Sequence, residues 1–308
     1  MPDNPNFEIG SEFFVSQVSA ELFRLKVKDE ARRQYEREIA GPLRDHPGVL
    51  AYDPLPPESP ELIEGLLLTH GATGIIAEKE TGKSLVALEI QASLLSGEPL
   101  WGAIRPAKVL PKTVHFLAEH TSTTLQQLYH RTKLPHAGDL RIFGPEHLGG
   151  HKLLVTNGQR KDAAVENYKR LAEGAGLVVF DPLASFIQGE KAESDNAPMR
   201  HLIDTMIEIA NSTGAACLVL GHQGKPTMHQ GRAVKRTKYA ARGASAVEDA
   251  LTAVHYMEHL DGQEIGDSDS YEIRPIHFKG TKAKPFKLVR DRETCRQQLL
   301  SAALRRAY

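Results

Sequence analysis

The sequence is poor in cysteine and has no long apolar run. Its two cysteines, Cys217 and Cys295, lie far apart. This fits neither the paired spacing of a zinc site nor a disulfide framework, so we expect a reducing compartment. No stretch approaches the roughly 20 apolar residues of a transmembrane helix, and the first residues lack the apolar core of a signal peptide. These absences predict a cytoplasmic protein without a membrane partner.

Net charge is also nearly absent, at −1 for 308 residues. A nucleic-acid partner therefore cannot be inferred from the total charge and would need a local basic patch. The hydrophobic share of 41% and the charged share of 25% are ordinary for a globular protein. The length suggests one large domain with an extension, or two small domains.

The first 55 residues differ in pattern from the rest of the chain. Residues 11–40 show helical periodicity, and six prolines lie between Pro42 and Pro60, which is typical of a linker. We expect an N-terminal helical arm and linker over 1–55, a core over 56–292 and an amphipathic C-terminal helix over 293–308. The arm either packs on its own core or docks on a neighbouring subunit.

One stretch, Ala77–Ser84, reads A-x-x-x-x-G-K-S, one residue away from the Walker A pattern. A short apolar strand precedes it and a helical pattern follows, which is the setting of a phosphate-binding loop. Backbone N–H groups there converge on an anion, Lys83 reaches the terminal phosphates and Ser84 ligates Mg²⁺. The predicted ATP-binding residues are Ala77, Glu78, Lys79, Glu80, Thr81, Gly82, Lys83, Ser84 and Leu85.

This loop departs from the pattern in two ways. Ala77 replaces the first glycine, so its backbone must tolerate a Cβ atom. Glu78 and Glu80 bring negative charge beside a polyanion site, so we expect both side chains to point outward. A Gly-Lys-Ser triplet also occurs by chance, and it is the strand and helix in register that favour nucleotide binding.

Two later strands are predicted to deliver carboxylates to the same place. Leu177–Asp181 has the Walker B form, which makes Asp181 a candidate Mg²⁺-site residue beside Ser84. The apolar run that begins at Thr113 ends in Glu119, at the edge where strand ends meet ligands in an open α/β sheet. Glu119 is a candidate base for the water that attacks the γ-phosphate, and the alternative is a surface glutamate.

Polar and basic residues follow the next predicted strand, which ends at Leu220. His222 and Gln223 are candidates for sensing the γ-phosphate, and their alternative role is structural. No acidic residue occurs from Gly224 to Ala246, which favours contact with a nucleic-acid backbone over a solvated loop. The predicted nucleic-acid-binding residues are Lys225, Arg232, Lys235, Arg236, Lys238 and Arg242.

The motifs, in this order, resemble those of the RecA-like ATPases, and among them the plasmid RepA-type hexameric replicative helicases. The resemblance covers about residues 60–290. The stretches that carry it are Phe116–His120, Asp181–Leu183, Glu193–Asn196, His222–Lys225 and Arg242–Ala246.

The resemblance implies an α/β fold with a mostly parallel, twisted sheet flanked by helices and preceded by a helical extension. It implies ATP bound between subunits of a ring, by analogy a hexamer, with residues 224–245 facing single-stranded DNA in the channel. Lys279 and Lys282 occupy the region from which a neighbour inserts a basic finger. That turn has no arginine, so binding is better supported than fast hydrolysis.

Two functions remain open. The first is a Mg²⁺-ATP-driven helicase-like motor on single-stranded DNA, with a primase or another replication protein as a partner. The second is a slowly hydrolysing module that binds DNA or assembles in response to ATP without separating strands. A phosphotransferase with the same loop is a third reading, although the sequence shows no acceptor-substrate site.

Overall fold

The computed structural model describes residues 23–24, 26–28, 30, 61–189, 196–223, 228–229, 232–233, 244–260, 270–279, 283–291 and 293–300. The chain divides into two compact units, Met1–Pro57 and Glu58–Tyr308. In the first unit the described residues are helical. Phe23 and Val27 in this helix are exposed.

The second unit contains the strands and helices that position the site. Its strands are β1 Glu61–Ile63, β2 Leu67–Leu68, β3 Ala72–Ala77, β4 Lys112–Leu117, β5 Asp139–Phe143, β6 Val155–Thr156, β7 Gln159–Arg160, β8 Leu177–Asp181, β9 Ile187–Gln188, β10 Ala216–His222, β11 Met228–His229, β12 Arg232–Ala233, β13 Ala253–His259, β14 Ser270–Phe278, β15 Phe286–Arg290 and β16 Gln297–Leu299. Its α-helices are α1 Lys83–Ser96, α2 Ser122–Arg131, α3 Pro145–Leu148, α4 Asp162–Ala172, α5 Asn196–Asn211 and α6 Ala244–Ala250. Short 3₁₀ helices are formed by Gly149–His151 and Leu183–Phe186.

A nine-stranded sheet has the order β16-β15-β14-β13-β3-β10-β8-β4-β5. The strands from β13 to β5 run parallel to one another, and β14, β15 and β16 are added antiparallel. This arrangement confirms the predicted α/β architecture with a mostly parallel sheet flanked by helices. β13 therefore joins the parallel and antiparallel parts of the sheet, because it lies parallel to β3 and antiparallel to β14.

The central parallel strands β3, β8 and β10 are buried on both faces, which explains their nearly continuous apolar sequences. In β8, Val178 and Phe180 pack into one core, and Leu177 and Val179 pack into the other together with helix α1. Asp181 follows in the same alternation as Leu177 and Val179, because successive side chains of a strand point to opposite faces. The carboxylate therefore lies on the side of the sheet that carries α1.

The prediction of a helix over 293–308 is wrong for Gln297–Leu299, which form β16. These residues pair with β15 in the registers Leu288↔Leu299 and Arg290↔Gln297. The backbone N–H of Gln297 also donates to the buried carboxylate of Glu89 at 2.7 Å. These tertiary partners override the local helical pattern, and residues 301–308 lie outside the described residues.

The central strands bring their carboxyl ends to one edge. The order β3-β10-β8-β4 places the ends of four parallel strands side by side, where open α/β sheets bind ligands. Among the described residues, no helix is both long and apolar enough to cross a membrane.

Candidate functional site

The loop between β3 and α1 has the shape of a phosphate-binding loop. Gly82, at the start of α1, has a φ of 99°, a left-handed conformation that is strained for residues with a side chain. Ala77, which replaces the pattern's first glycine, is fully buried in the apolar core, so its methyl group is accommodated by packing. Glu78 and Glu80 are exposed, and Glu80 also lines the cavity beside the loop.

The amine of Lys83 lies inside the loop. The residue is 6% exposed, and Nζ donates hydrogen bonds to the carbonyl oxygens of Ala77 at 3.2 Å and Glu78 at 2.7 Å. Burial lowers the pKa of Lys83 to about 8, against the opposing effect of the Asp181 and Glu119 carboxylates. A bound triphosphate would bring further negative charge, which favours the charged amine.

Ser84 and Asp181 form a pair at the sheet edge. The Ser84 hydroxyl donates to Oδ2 of Asp181 at 2.6 Å, and Asp181 is buried. Burial opposes ionisation of Asp181, but the hydrogen bond and charge of His115, together with Ser84 and Lys83, hold its pKa below the usual value. A hydroxyl and an ionised carboxylate are the hard oxygen donors that Mg²⁺ prefers, so the pair fits that ion.

Glu119 and His222 face each other across the same edge. Oε1 of Glu119 accepts a hydrogen bond from the Ser185 hydroxyl at 3.0 Å, and Oε2 lies 3.7 Å from Nε2 of His222. Among the described residues, neither ring nitrogen of His222 has a hydrogen-bond partner. Burial and the charge of Lys83 lower the pKa of His222, which favours a neutral ring with an unused donor or acceptor.

A cavity of about 440 Å³ joins these groups. It is lined by Lys83, Ser84, Glu119, Asp181, His222 and Arg290. The sequence predicted five of these six residues to meet at one site. The cavity places an amine, a hydroxyl and two carboxylates around one space, which are the kinds of group that bind and hydrolyse a metal-complexed triphosphate.

A family model described as an AAA domain matches residues 46–228, more than half of the chain. The chain belongs to the AAA-domain family. Membership makes it an ATPase, and the matched segment contains Lys83, Glu119, Asp181 and His222. The match ends before Arg290, so the family model does not account for that residue.

Two solved structures share the fold of this AAA-domain protein. One is an ATPase domain with 10% sequence identity and a TM-score of 0.53, and the match covers 75% of this chain and 85% of the other. The second is a DnaB-like replicative helicase, described with its interactions with primase, with 10% identity and a TM-score of 0.55. That match covers 94% of this chain and 76% of the helicase. At this identity the two structures show the fold alone, which agrees with the predicted α/β architecture.

The remaining loop residues lie at or beside the cavity of this AAA-domain ATPase. Thr81 is buried, and its hydroxyl donates to the Glu78 carbonyl at 2.8 Å. Lys79 and Leu85 line the cavity. The backbone amide of Gln223 donates to the Ala77 carbonyl at 2.9 Å, so Gln223 directly adjoins the start of the loop.

The predicted basic residues are only partly described. Lys279 is exposed just after β14 and does not line the cavity of its own chain, whereas Lys282 lies outside the described residues. Arg232 belongs to β12, where its backbone pairs with His229. The other predicted nucleic-acid-binding residues lie outside the described residues: Lys225, Lys235, Arg236, Lys238 and Arg242.

Arg290 is a site residue that the sequence did not reveal. It ends β15 and donates from Nη2 to the Thr81 carbonyl at 2.8 Å, while its guanidinium lies 4.2 Å from the centroid of the Tyr271 ring. A Cβ atom at Gly82 would collide with this guanidinium. In the sequence, Arg290 follows the short, mostly apolar run Phe286–Val289. Nothing in the sequence connects that run with the loop.

Proposed function

We propose that this AAA-domain ATPase is a Mg²⁺-dependent, helicase-like motor that acts on single-stranded DNA as a ring in the cytoplasm. The observation that carries the proposal is the meeting of Lys83, Ser84, Glu119 and Asp181 around one cavity. The likeness to a DnaB-like replicative helicase favours a motor, and that helicase's interactions with primase favour a replication partner.

Binding of the triphosphate would begin at the loop. Lys83 exchanges its bonds to the Ala77 and Glu78 carbonyls for the terminal phosphates, and backbone N–H groups at the start of α1 face the same anion. Ser84 and Asp181 would hold Mg²⁺, which would supply positive charge to neutralise the phosphates. The loop thereby binds and orients the nucleotide.

Hydrolysis would depend on Glu119. Its side chain is partly exposed to the cavity and held from one side by Ser185, so it can orient a water molecule and accept its proton. His222 lies next to Glu119, and among the described residues neither of its ring nitrogens has a hydrogen-bond partner. Loss of the γ-phosphate would change the contacts of His222, and β10 would carry that change toward the basic residues that follow it.

The test is the rate of ATP hydrolysis, measured at one fixed salt concentration with and without single-stranded DNA. We expect DNA to stimulate hydrolysis by the wild type, and Lys83→Ala to lower the rate by about 100-fold or more. Lys287→Ala is the matched control, because Lys287 is exposed and lies outside the cavity. A wild type that DNA does not stimulate and that separates no strands would contradict the motor.

A second candidate function is an ATP-dependent assembly module with slow hydrolysis. It is favoured by the contacts of Arg290, the arginine among the described cavity residues. Arg290 is engaged with Thr81 and Tyr271, so it is held away from the role of stabilising charge during hydrolysis. Light scattering with and without ATP separates the two functions. The module predicts particles that grow with ATP while little ATP is hydrolysed, and a size that is indifferent to nucleotide counts against it.

A further inference from the structure

A closed circuit of side-chain contacts lies behind the Asp181 carboxylate. His115 on β4 is fully buried. Its Nε2 lies 3.4 Å from Oδ2 of Asp181, and its Nδ1 lies 2.9 Å from Oε1 of Gln91. Ser84 donates to the same Asp181 oxygen. Because Ser84 and Gln91 are two turns apart on one face of α1, the contacts run from α1 through β8 and β4 and back to α1.

Packing alone does not explain polar side chains at these positions. Strands buried on both faces of a parallel sheet are typically apolar throughout, yet Thr113 and His115 of β4 are both fully buried. An unsatisfied buried polar group costs about 1–3 kcal/mol of stability. Here Gln91 satisfies both side chains, because it contacts His115 and donates from Nε2 to the Thr113 hydroxyl at 3.1 Å. A fully connected buried network favours one arrangement of its members.

The orientation of the His115 ring follows from its partners. An ionised carboxylate only accepts hydrogen bonds, so the contact with Asp181 requires a hydrogen on Nε2. At Nδ1, the Gln91 amide offers its oxygen or, turned over, its NH₂ group. The same ring orientation therefore holds with one or two ring protons. In both cases Nε2–H points at Oδ2, and Oδ1 of Asp181 takes no part in the circuit.

We propose that His115 is a positioning residue for the divalent cation. Gln91 fixes the ring, the ring fixes the Asp181 carboxylate through Oδ2, and the carboxylate and the Ser84 hydroxyl then present a fixed pair of oxygens to Mg²⁺. The inference rests on the proposed function, because it requires a cation–nucleotide site at Asp181. It adds a role for a residue that does not itself touch the nucleotide or the cation.

The test uses Mn²⁺ as a paramagnetic probe, titrated into the full chain with bound ADP and followed by electron paramagnetic resonance. We expect His115→Leu to weaken Mn²⁺ binding by about 10- to 100-fold, as for other groups that orient a metal ligand. ADP binding without a divalent cation should stay unchanged. His115→Gln keeps an amide nitrogen that can replace Nε2 and should restore most of the affinity, and Gln91→Leu should show a smaller loss.

His255→Leu is the matched control. His255 lies on β13 of the same sheet, is also fully buried and has Nε2 2.9 Å from the Leu66 carbonyl oxygen. Its replacement reports the general cost of losing a buried histidine. We expect lower thermal stability and an unchanged Mn²⁺ affinity.

Three results would overturn the inference while leaving the proposed function intact. They are a wild-type Mn²⁺ affinity in His115→Leu, a loss of Mn²⁺ affinity in His255→Leu equal to that in His115→Leu, and no recovery of Mn²⁺ affinity in His115→Gln. If circular dichroism shows that His115→Leu does not fold, Gln91→Leu takes its place, and wild-type affinity there overturns the inference. A wild type that binds neither ADP nor Mn²⁺ refutes the proposed function itself.

Discussion

At the scale of single residues, Glu89 on α1 combines burial with two hydrogen bonds. Its Oε1 accepts a hydrogen bond from the backbone N–H of Gln297 at 2.7 Å, and its Oε2 accepts one from the Trp101 indole at 2.8 Å. Burial raises the pKa of Glu89 to about 8, although these donors and two nearby arginines act in the opposite direction. Glu89 therefore keeps its proton in the folded state at neutral pH.

The pH dependence of stability tests this assignment. The pKa of Glu89 moves from 4.5 in the unfolded chain to about 8 in the folded one. The contribution of Glu89 to folding stability is therefore complete at a pH below the unfolded-state pKa and is lost as the pH rises through the folded-state pKa. Glu89→Gln removes this titration. Relative to the wild type, the variant should gain on the order of a few kcal/mol of unfolding free energy between about pH 5 and about pH 8. Urea denaturation measures it, and a pH-independent difference would contradict the assignment.

The sequence predicted the cavity residues well where a motif coincides with a strand end. Ser84 and Asp181 meet because a helix start and a parallel strand end lie at one edge of such a sheet. Arg290 and His115 could not be predicted in the same way. The bond from Arg290 to Thr81 joins residues 209 positions apart, and a histidine inside an apolar strand does not show which carboxylate it will meet.

At the scale of elements, the antiparallel strand β15 supports the phosphate-binding loop. Arg290 ends β15, stacks on Tyr271 of β14 and bonds the Thr81 carbonyl. Its guanidinium lies over Gly82, where the left-handed backbone conformation itself disfavours a side chain. The added strands therefore contribute to the site as well as extending the sheet.

Amide hydrogen exchange tests this support. We expect Arg290→Ala to speed exchange at residues 78–82 and to weaken ATP binding by about tenfold, because a hydrogen bond from a charged group contributes about 1.5–3 kcal/mol and partial exposure reduces this. Lys287→Ala, on the same strand and exposed, should change neither quantity. Unaltered exchange in Arg290→Ala would show that β15 does not hold the loop.

The last strand shows where prediction from local pattern ends. The leucines after residue 293 repeat at helical spacing, but Gln297–Leu299 are extended. Their backbone groups bond to the preceding strand β15 and to Glu89, far away in the sequence, and such partners commonly override intrinsic propensity. The central strands were predictable because their continuous apolar runs reflect burial on both faces.

At the scale of the whole molecule, the strand order gathers the chemistry at one edge. β3, β10, β8 and β4 are adjacent, and the residues at or just beyond their ends are Lys83, His222, Asp181 and Glu119. Lys279 does not line the cavity of its own chain. A role for Lys279 in hydrolysis therefore requires a second copy of the chain, as a ring would provide.

The most direct test of this account compares ATP binding and single-turnover hydrolysis in Glu119→Gln, with Glu64→Gln as a control at an exposed glutamate outside the cavity. The account predicts that Glu119→Gln binds Mg²⁺-ATP as the wild type does but hydrolyses it about 10²- to 10⁴-fold more slowly, while Glu64→Gln behaves as the wild type. Hydrolysis at the wild-type rate in Glu119→Gln would contradict the account.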